Sequence, residues 1–375
     1  MGANRLRIAF IGDVCLSFLR DAESRAHGFS DEWRAIRCEL GEYDLLIGNL
    51  ECYLVGPQCS EKARVQPMAV SADAAGSFLD PITFSAVCLA NNHSVDGGSE
   101  GVSATLKRLS SLGIPSFGVG ANLDEAEKTL LVESNGRKIA FVSACDKSEY
   151  YATGSRYGVA PMVRRRLGRR IQSAASQSDL VVVVLHADLE FSDVPGRWRR
   201  RLCRWLVDQG AHMVIQHHPH VLQGIEFHKG KLIAYSLGNF LFRIQGNRYQ
   251  ESHASVKDSM VLVVDVQFCG TATEIVYRIV PVHIGDDHLP RCVTGLAQAH
   301  AIEEIHRLSS ILTNKKSYRR AWFRRCKAEA IIRTRSACYA FAKGQFVRGV
   351  LEIWTLFARQ EDRRWVVGLL SFGYI

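Results

Sequence analysis

Eight residues of this chain carry side chains able to hold a divalent cation and stand within or just after short apolar runs: Asp13, Asn49, Glu51, Asn92, His93, His186, His218 and His220. Carboxylates and imidazoles are the usual ligands for zinc, manganese or iron. Taken singly, each has an ordinary explanation. An Asp after a strand is a turn former or a helix cap, and a histidine after a buried strand finds backbone partners. Taken together they resist that explanation, because separate apolar runs deliver metal-competent side chains close to their ends. His218-Pro219-His220 adds a local signal, since two imidazoles two residues apart, with a rigid residue between them, can converge on one ion.

The elements that must position these residues follow from hydrophobic patterning. Apolar runs at 6–11, 44–47, 84–90, 138–144, 180–185, 213–215 and 232–235 read as buried strands. Apolar stripes at helical spacing over 101–112, 163–175 and 198–209 read as helices between them. Alternation over 261–268 and 273–282 reads as a hairpin around Cys269-Gly270, and after Pro290 the strands are expected to stop. Helices are expected at 297–312, 318–342 and 346–359. Strand, polar loop, helix, strand is the grammar of a layered α/β fold, and such folds place ligands beyond the carboxyl ends of their strands.

Composition excludes several classes. The chain has 375 residues, 47% hydrophobic and 23% charged, ordinary values for a globular protein and unlike those of a disordered one. No run approaches the roughly 18 apolar residues of a membrane span, and residues 1–10 lack the apolar core of a signal peptide. The eleven cysteines are scattered without a CxxC pair, so neither a zinc ribbon nor a redox motif is visible. Reduced thiols in a cytoplasm are the expectation. The net charge of +9 is localised: residues 315–364 hold fourteen Lys and Arg against four acids, leaving the rest of the chain close to neutral. The expected division is a catalytic or binding domain over 1–290 and a basic helical extension over 291–375.

Six segments, in order, resemble the CapA family, capsule or poly-γ-glutamate synthesis proteins built on a metallophosphoesterase-like core. Ile11-Gly12-Asp13-Val14 fits that family's "GDV", and Gly48-Asn49-Leu50-Glu51 its "NLE". Ala90-Asn91-Asn92-His93-Ser94-Val95-Asp96 fits "NNHxxD", and His186-Ala187-Asp188-Leu189-Glu190-Phe191 fits "HWGxEY". Residues 210–221, with His217-His218-Pro219-His220, fit "GAD.V.GHHPHV", and Tyr235-Ser236-Leu237-Gly238-Asn239-Phe240 fits "YSLGNF". The resemblance covers about residues 5–285 and implies a layered β-sheet core flanked by helices.

By position, the resemblance implies Asp13, Asn92, His186, His218 and His220 as metal ligands, with His93 near the reacting oxyanion. The bridging acidic position falls at Asn49 or Glu51, and Glu51 is favoured because an anionic oxygen bridges two cations better than an amide. Asp96 either orients His93 or caps the helix beginning near Gly97, with capping favoured. Glu190 is either a partner of a ligand imidazole or a solvated acid. Asn91 and Asn239 are further candidates, and His217 reads as a flanking residue. Some positions depart from the pattern. Cys15 stands where related phosphoesterases place a histidine, Ala187-Asp188 replaces Trp-Gly, and Gln216 replaces a glycine.

The function implied is metal-assisted hydrolysis with one or two ions of manganese, zinc or iron, serving synthesis or release of an extracellular polymer. The alternative is a non-catalytic polymer-binding component of a capsule synthesis machine. The expected partner is an anionic polymer or a phosphorylated small substrate. Arginines at 164–170 and 197–204 read first as solvated helix faces and secondly as polyanion contacts. The aromatic and basic residues of the extension, among them Trp322, Phe323, Phe341, Phe346, Trp354, Phe357 and Trp365, read as a helical unit packed on the core or docked on an anionic membrane surface. No motif supports nucleic-acid binding. The expected location is cytoplasmic, with peripheral membrane attachment through the basic helices.

Overall fold

The structure, a computed structural model, describes residues 4–20, 29–244, 254–270, 272–342, 346 and 350. The chain opens with β1 (Arg5–Val14), β2 (Leu45–Leu50), β3 (Ala86–Cys88) and β4 (Ser116–Phe117), parallel to one another. It then builds a second sheet from β5 (Leu130–Ser134), β6 (Arg137–Cys145), β7 (Leu180–His186), β8 (Met213–His217), β9 (Ile225–His228) and β10 (Lys231–Ala234). It returns to the first sheet with β11 (Asn239–Leu241), β12 (Asp258–Cys269), β13 (Ala272–Ile284) and β14 (Pro290–Cys292). The first sheet runs β14-β13-β12-β1-β2-β3-β4, with β11 also on β1, and the second runs β9-β10-β8-β7-β6-β5.

The two sheets share one core. Successive side chains of a strand point to opposite faces. Val182 and Val184 of β7 therefore join Phe141, Ile215 and, from the first sheet, Ile8, Phe10 and Val264. Val181, Val183 and Leu185 point the other way, onto helices. The longer helices are α1 (Ser30–Leu40), α2 (Ala72–Ile82), α3 (Gly98–Ser111), α4 (Arg164–Ala175), α5 (Arg197–Asp208), α6 (Gly295–Thr313) and α7 (Lys315–Ala342). Leu167 and Ile171 of α4, with Cys203 and Leu206 of α5, cover the outer face of the second sheet. This is the layered α/β arrangement expected.

The expected strands and helices are present with small shifts of their ends. One expectation is corrected: the sheet does not stop at Pro290, because Pro290–Cys292 pairs with residues 282–284 of β13. The expected helices at 297–312 and 318–342 are α6 and α7. Apart from residues 346 and 350, the one at 346–359 lies outside the described residues, as do Trp354, Phe357 and Trp365.

Both C-terminal helices pack on the body. Ile305, Leu308 and Leu312 of α6 are buried, and Gly224 leaves room for the Leu308 carbonyl, which a Cβ would meet at 2.6 Å. In α7, Trp322 meets Trp198 edge to face at 5.5 Å, and Tyr318 Oη donates to the Pro195 carbonyl at 2.7 Å. Among the described residues no helix is long and apolar enough to cross a membrane, and all eleven cysteines are free.

Half of the arginines of α4 and α5 are tied to acids or carbonyls on other elements. Arg199 is buried against Asp146 at 2.5 Å. Arg200 and Arg204 both pair with Glu226. Arg170 donates to the Ser143 carbonyl at 2.8 Å, and burial pushes its guanidinium down to about 10. Arg166 pairs with Glu127. These groups tie helices to the second sheet, so the reading as open faces is corrected for Arg170, Arg199, Arg200 and Arg204, whereas Arg164, Arg165, Arg166, Arg169 and Arg201 are exposed as expected.

Candidate metal centre

Asp13 is placed by an irregularity in β1. The pairing with β2 runs Phe10↔Ile47 and then Asp13↔Asn49, so β1 carries one extra residue between them. A bulge of this kind bends a strand and re-aims the side chain that follows. Gly12 sits in it because the chain of β11 comes close: a Cβ there would lie 2.1 Å from the Gly238 carbonyl oxygen. Gly238 itself has φ +75°, a conformation that favours glycine. Its carbonyl accepts from the Asp13 amide at 3.0 Å.

Parallel strands deliver the remaining donors to the same edge. Asn49 and Glu51 stand at the end of β2, His186 ends β7, and His217-His218 ends or follows β8. Asp13, Asn49, Glu51, His186 and His218 are fully buried. The return through His218-Pro219-His220 holds two non-glycine residues at positive φ, +97° for His218 and +58° for His220. The facing loop adds Asp188 at +95° and Phe191 at +57°. Such backbone costs about 1–3 kcal/mol per residue and persists where surrounding structure over-determines it, commonly at functional sites.

The donors fall into groups that share members. Glu51, His186 and His218 offer three ligand atoms within 4.8 Å of one another, and so do Asp13, Glu51 and His220. Glu190, exposed at the rim, does the same with His218 and His220. Glu51 Oε1 lies 3.3 Å from His186 Nε2 and 3.7 Å from His220 Nε2. Both Glu51 oxygens and His218 Nε2 are buried with no hydrogen-bond partner among the described residues. A buried carboxylate without partners is costly, and a cation between these groups would satisfy it. The residues present fit a divalent metal.

Asn49 and Glu51, the two candidates for the bridging position, separate clearly. Asn49 Nδ2 donates to Asp13 Oδ1 at 2.8 Å and faces His186 Nδ1 at 3.3 Å, while its oxygen accepts from Asn91 at 3.2 Å. Its amide is engaged in holding the donors apart. Glu51 faces both donor groups with its oxygens open. Asn92 Oδ1 sits 2.7 Å from His186 Nε2, at the edge of the same cluster. Asn91 builds the turn instead, since its Oδ1 accepts from the amides of His93 and Ser94 and from the Ser94 hydroxyl. Asn239 Oδ1 lies 2.9 Å from His220 Nδ1 and fixes that ring.

Two expectations are corrected. Asp96 does not cap a helix: α3 has no side-chain cap bond, and the carboxylate lies 2.8 Å from His93 Nδ1. His217 does more than flank. It is buried with Nδ1 3.1 Å from Asp13 Oδ1, so its ring sits directly against that carboxylate. The HH dipeptide was the available signal, because alternation along β8 would turn the two rings to different sides.

Electrostatics set the protonation pattern of the metal-free site. Burial opposes ionisation of Asp13, but the surrounding histidines, His217 first among them, hold it well below the usual carboxylate range. Burial pushes Glu51 up to about 8, with Asp13 adding to the rise against the pull of His220 and His93. Burial also drives His186 and His218 well below the ordinary histidine range, the neutral form that metal ligation requires. For His93 burial is outweighed by the Asp96 hydrogen bond and the charge of Glu51, which raise it to about 9. Cys15 is buried and turned away to Ser17 Oγ at 3.3 Å; it belongs to none of the donor groups found among the described residues.

Comparison with known proteins gives consistent relatives. The family model described as bacterial capsule synthesis protein PGA_cap matches residues 7–244. The chain is 28% identical over 250 residues to the PGA biosynthesis protein CapA of Bacillus subtilis (strain 168), covering 66% of each chain. It is 27% identical over 300 residues to the capsule biosynthesis protein CapA of Bacillus anthracis, covering 78% of this chain and 70% of the other. The matches thus span about two thirds of these relatives' length. Among solved structures, a phosphatase from Mycoplasma pneumoniae aligns at 14% identity and TM-score 0.46, over 74% of this chain and 95% of that one. A 5'-nucleotidase precursor from Thermus thermophilus aligns at 13% identity and TM-score 0.44, over 82% and 59%.

Proposed function

The chain belongs to the PGA_cap family of bacterial capsule synthesis proteins, and on that premise we propose that it is a metal-dependent hydrolase serving the synthesis or release of an extracellular polymer such as poly-γ-glutamate. The observation that carries the reading is Glu51, buried with both oxygens open and shared by two three-donor groups. That sharing supports two ions, of manganese, zinc or iron. Asp13 and His220 would hold one, His186 and His218 the other, and Glu51 would lie between them, with Asn92 beside the second. The bound ions would polarise a phosphoryl or acyl oxygen.

The chain's own groups do the rest. Asn49 and His217 fix the Asp13 carboxylate, and Asn239 fixes the His220 ring. His93 is partly exposed, with 24% of its side-chain surface open, and its Nδ1 is held by Asp96. Its Nε2 edge is therefore free to give a proton to a leaving group. Glu190, exposed near His218 and His220, stands where a substrate enters.

The test is metal analysis of the purified protein beside His218→Ala, with hydrolysis assayed on a phosphodiester and on a γ-glutamyl substrate. Stoichiometric metal in the wild type, its loss in the variant and turnover of either substrate are expected. A metal-free wild type without turnover would leave the non-catalytic, polymer-binding role in capsule assembly.

A further inference from the structure

A groove of about 560 Å³ runs between α6 and α7, lined by Arg307, Ser310, Ile311, Ser317, Arg320, Phe323 and Arg324. It lies outside residues 7–244 that match the family. Its floor is apolar, from half-buried Ile311 and Phe323, and its rim is exposed and cationic.

The groove's arginines differ from the others of this chain. Those of α4 and α5 described above are mostly spent on Asp146, Glu127, Glu226 or a backbone carbonyl. Arg320 and Arg324 have no ion pair or hydrogen bond among the described residues, while Arg307 holds Glu304 in bidentate fashion through Nε and Nη2, both at 2.6 Å, leaving Nη1 for a further contact. Arg320 and Arg324 are four residues apart on one face of α7, where like charges repel. Arg307 of α6 joins them across the groove. Arg320 and Arg324, with the remaining donors of Arg307 beside them, stand over an apolar floor and suit a ligand that brings several carboxylates or phosphates, because each of the two open forks can take an oxyanion in bidentate fashion. An open-sided groove with cationic walls suits a strand of such groups better than a flat bilayer does.

We propose that the α6–α7 groove binds a strand of an anionic polymer through Arg307, Arg320 and Arg324. The groove also touches the candidate centre's surroundings. Asp193, three residues after Glu190, is close enough to Arg307 for its charge to raise the guanidinium, and α7 rests on the same loop through the Tyr318 bond to Pro195. A strand held in the groove thus lies beside the loop that carries Glu190. The choice of a polycarboxylate rests on the capsule-polymer reading above; the groove itself does not.

The test uses the full chain and a labelled γ-linked glutamate oligomer, followed by fluorescence anisotropy. The wild type binds, and binding weakens when salt is raised from low to ~0.15 M. R320A/R324A weakens it by about tenfold or more, two charge-assisted contacts being lost, with melting temperature and metal content unchanged. A γ-linked glutamine oligomer does not bind. Equal affinity of wild type and variant, or no binding by the wild type, overturns the proposal. So does binding to phosphatidylglycerol vesicles that the oligomer fails to compete. His218→Ala separates the two readings: it loses metal and keeps the oligomer if the groove stands alone.

Discussion

The carboxylate of Asp96 holds His93 Nδ1 at 2.8 Å, and the opposite nitrogen of the same ring faces Glu51 Oε1 at 4.0 Å. One imidazole thus joins the exposed rim to the buried carboxylate at the centre of the donor cluster. The arrangement orients the ring and fixes which edge carries the available proton.

Asp96→Asn removes the charge that orients this ring. The His93 pKa should fall from about 9 toward the ordinary histidine value, read from its ring resonances in the metal-free protein. Hydrolysis should drop by about 10²-fold with metal content unchanged. An unshifted His93 titration would rule out the orienting role.

Glu51 predicts a pH dependence of stability in chelator-treated protein. Its folded pKa is about 8 against 4.5 for the ordinary group. Between those values the folded state keeps a proton that the unfolded state releases, so this group makes stability fall as pH rises from about 4.5 to 8. Glu51→Gln removes that slope. At pH 8 the metal-free variant should be more stable than the metal-free wild type by a few kcal/mol, although it binds metal poorly. Denaturant unfolding at both ends of the range decides the matter, and parallel pH profiles would contradict it.

Gly12→Ala tests the close approach of β11. The new Cβ would meet the Gly238 carbonyl at 2.1 Å, and backbone has little freedom to yield. A loss of about 3 kcal/mol is expected from overpacking, with weaker metal binding as Asp13 is displaced. Wild-type stability in thermal unfolding would show that β11 moves aside without cost.

Trp322→Ala separates the C-terminal helices from the centre. Loss of the buried indole against Trp198 should cost about 3 kcal/mol or more, while metal content stays that of the wild type. Joint loss of metal would show that α7 supports the donor loops directly.

The strand ends were legible because apolar runs break sharply at Asp13, Asn49, His186 and Gln216-His217-His218, and each of the six predicted ligands lies in the donor cluster or at its edge. What sequence patterning could not show was how the two sheets meet, since that depends on packing between segments more than 100 residues apart. The register shift before Asp13 escaped for the same reason: an extra residue in β1 is visible only against its partner β2. β11 is three residues long, too short for an alternation to register. Arg199, Arg200 and Arg204 of α5 read as a solvated face because their acidic partners, Asp146 and Glu226, lie on other elements.

The chain's return to its first sheet has a consequence for synthesis. β1 is made long before its neighbour β12, which spans Asp258–Cys269, and before Gly238, whose backbone lies against Asp13. Growing chains fold from the N-terminus as they emerge, so β1 waits with one edge unpaired until most of the protein has left the ribosome. An apolar strand exposed for that long invites mispairing. The late arrival of β12 and Gly238 therefore marks β1 as the strand whose pairing a truncated chain would leave unfinished.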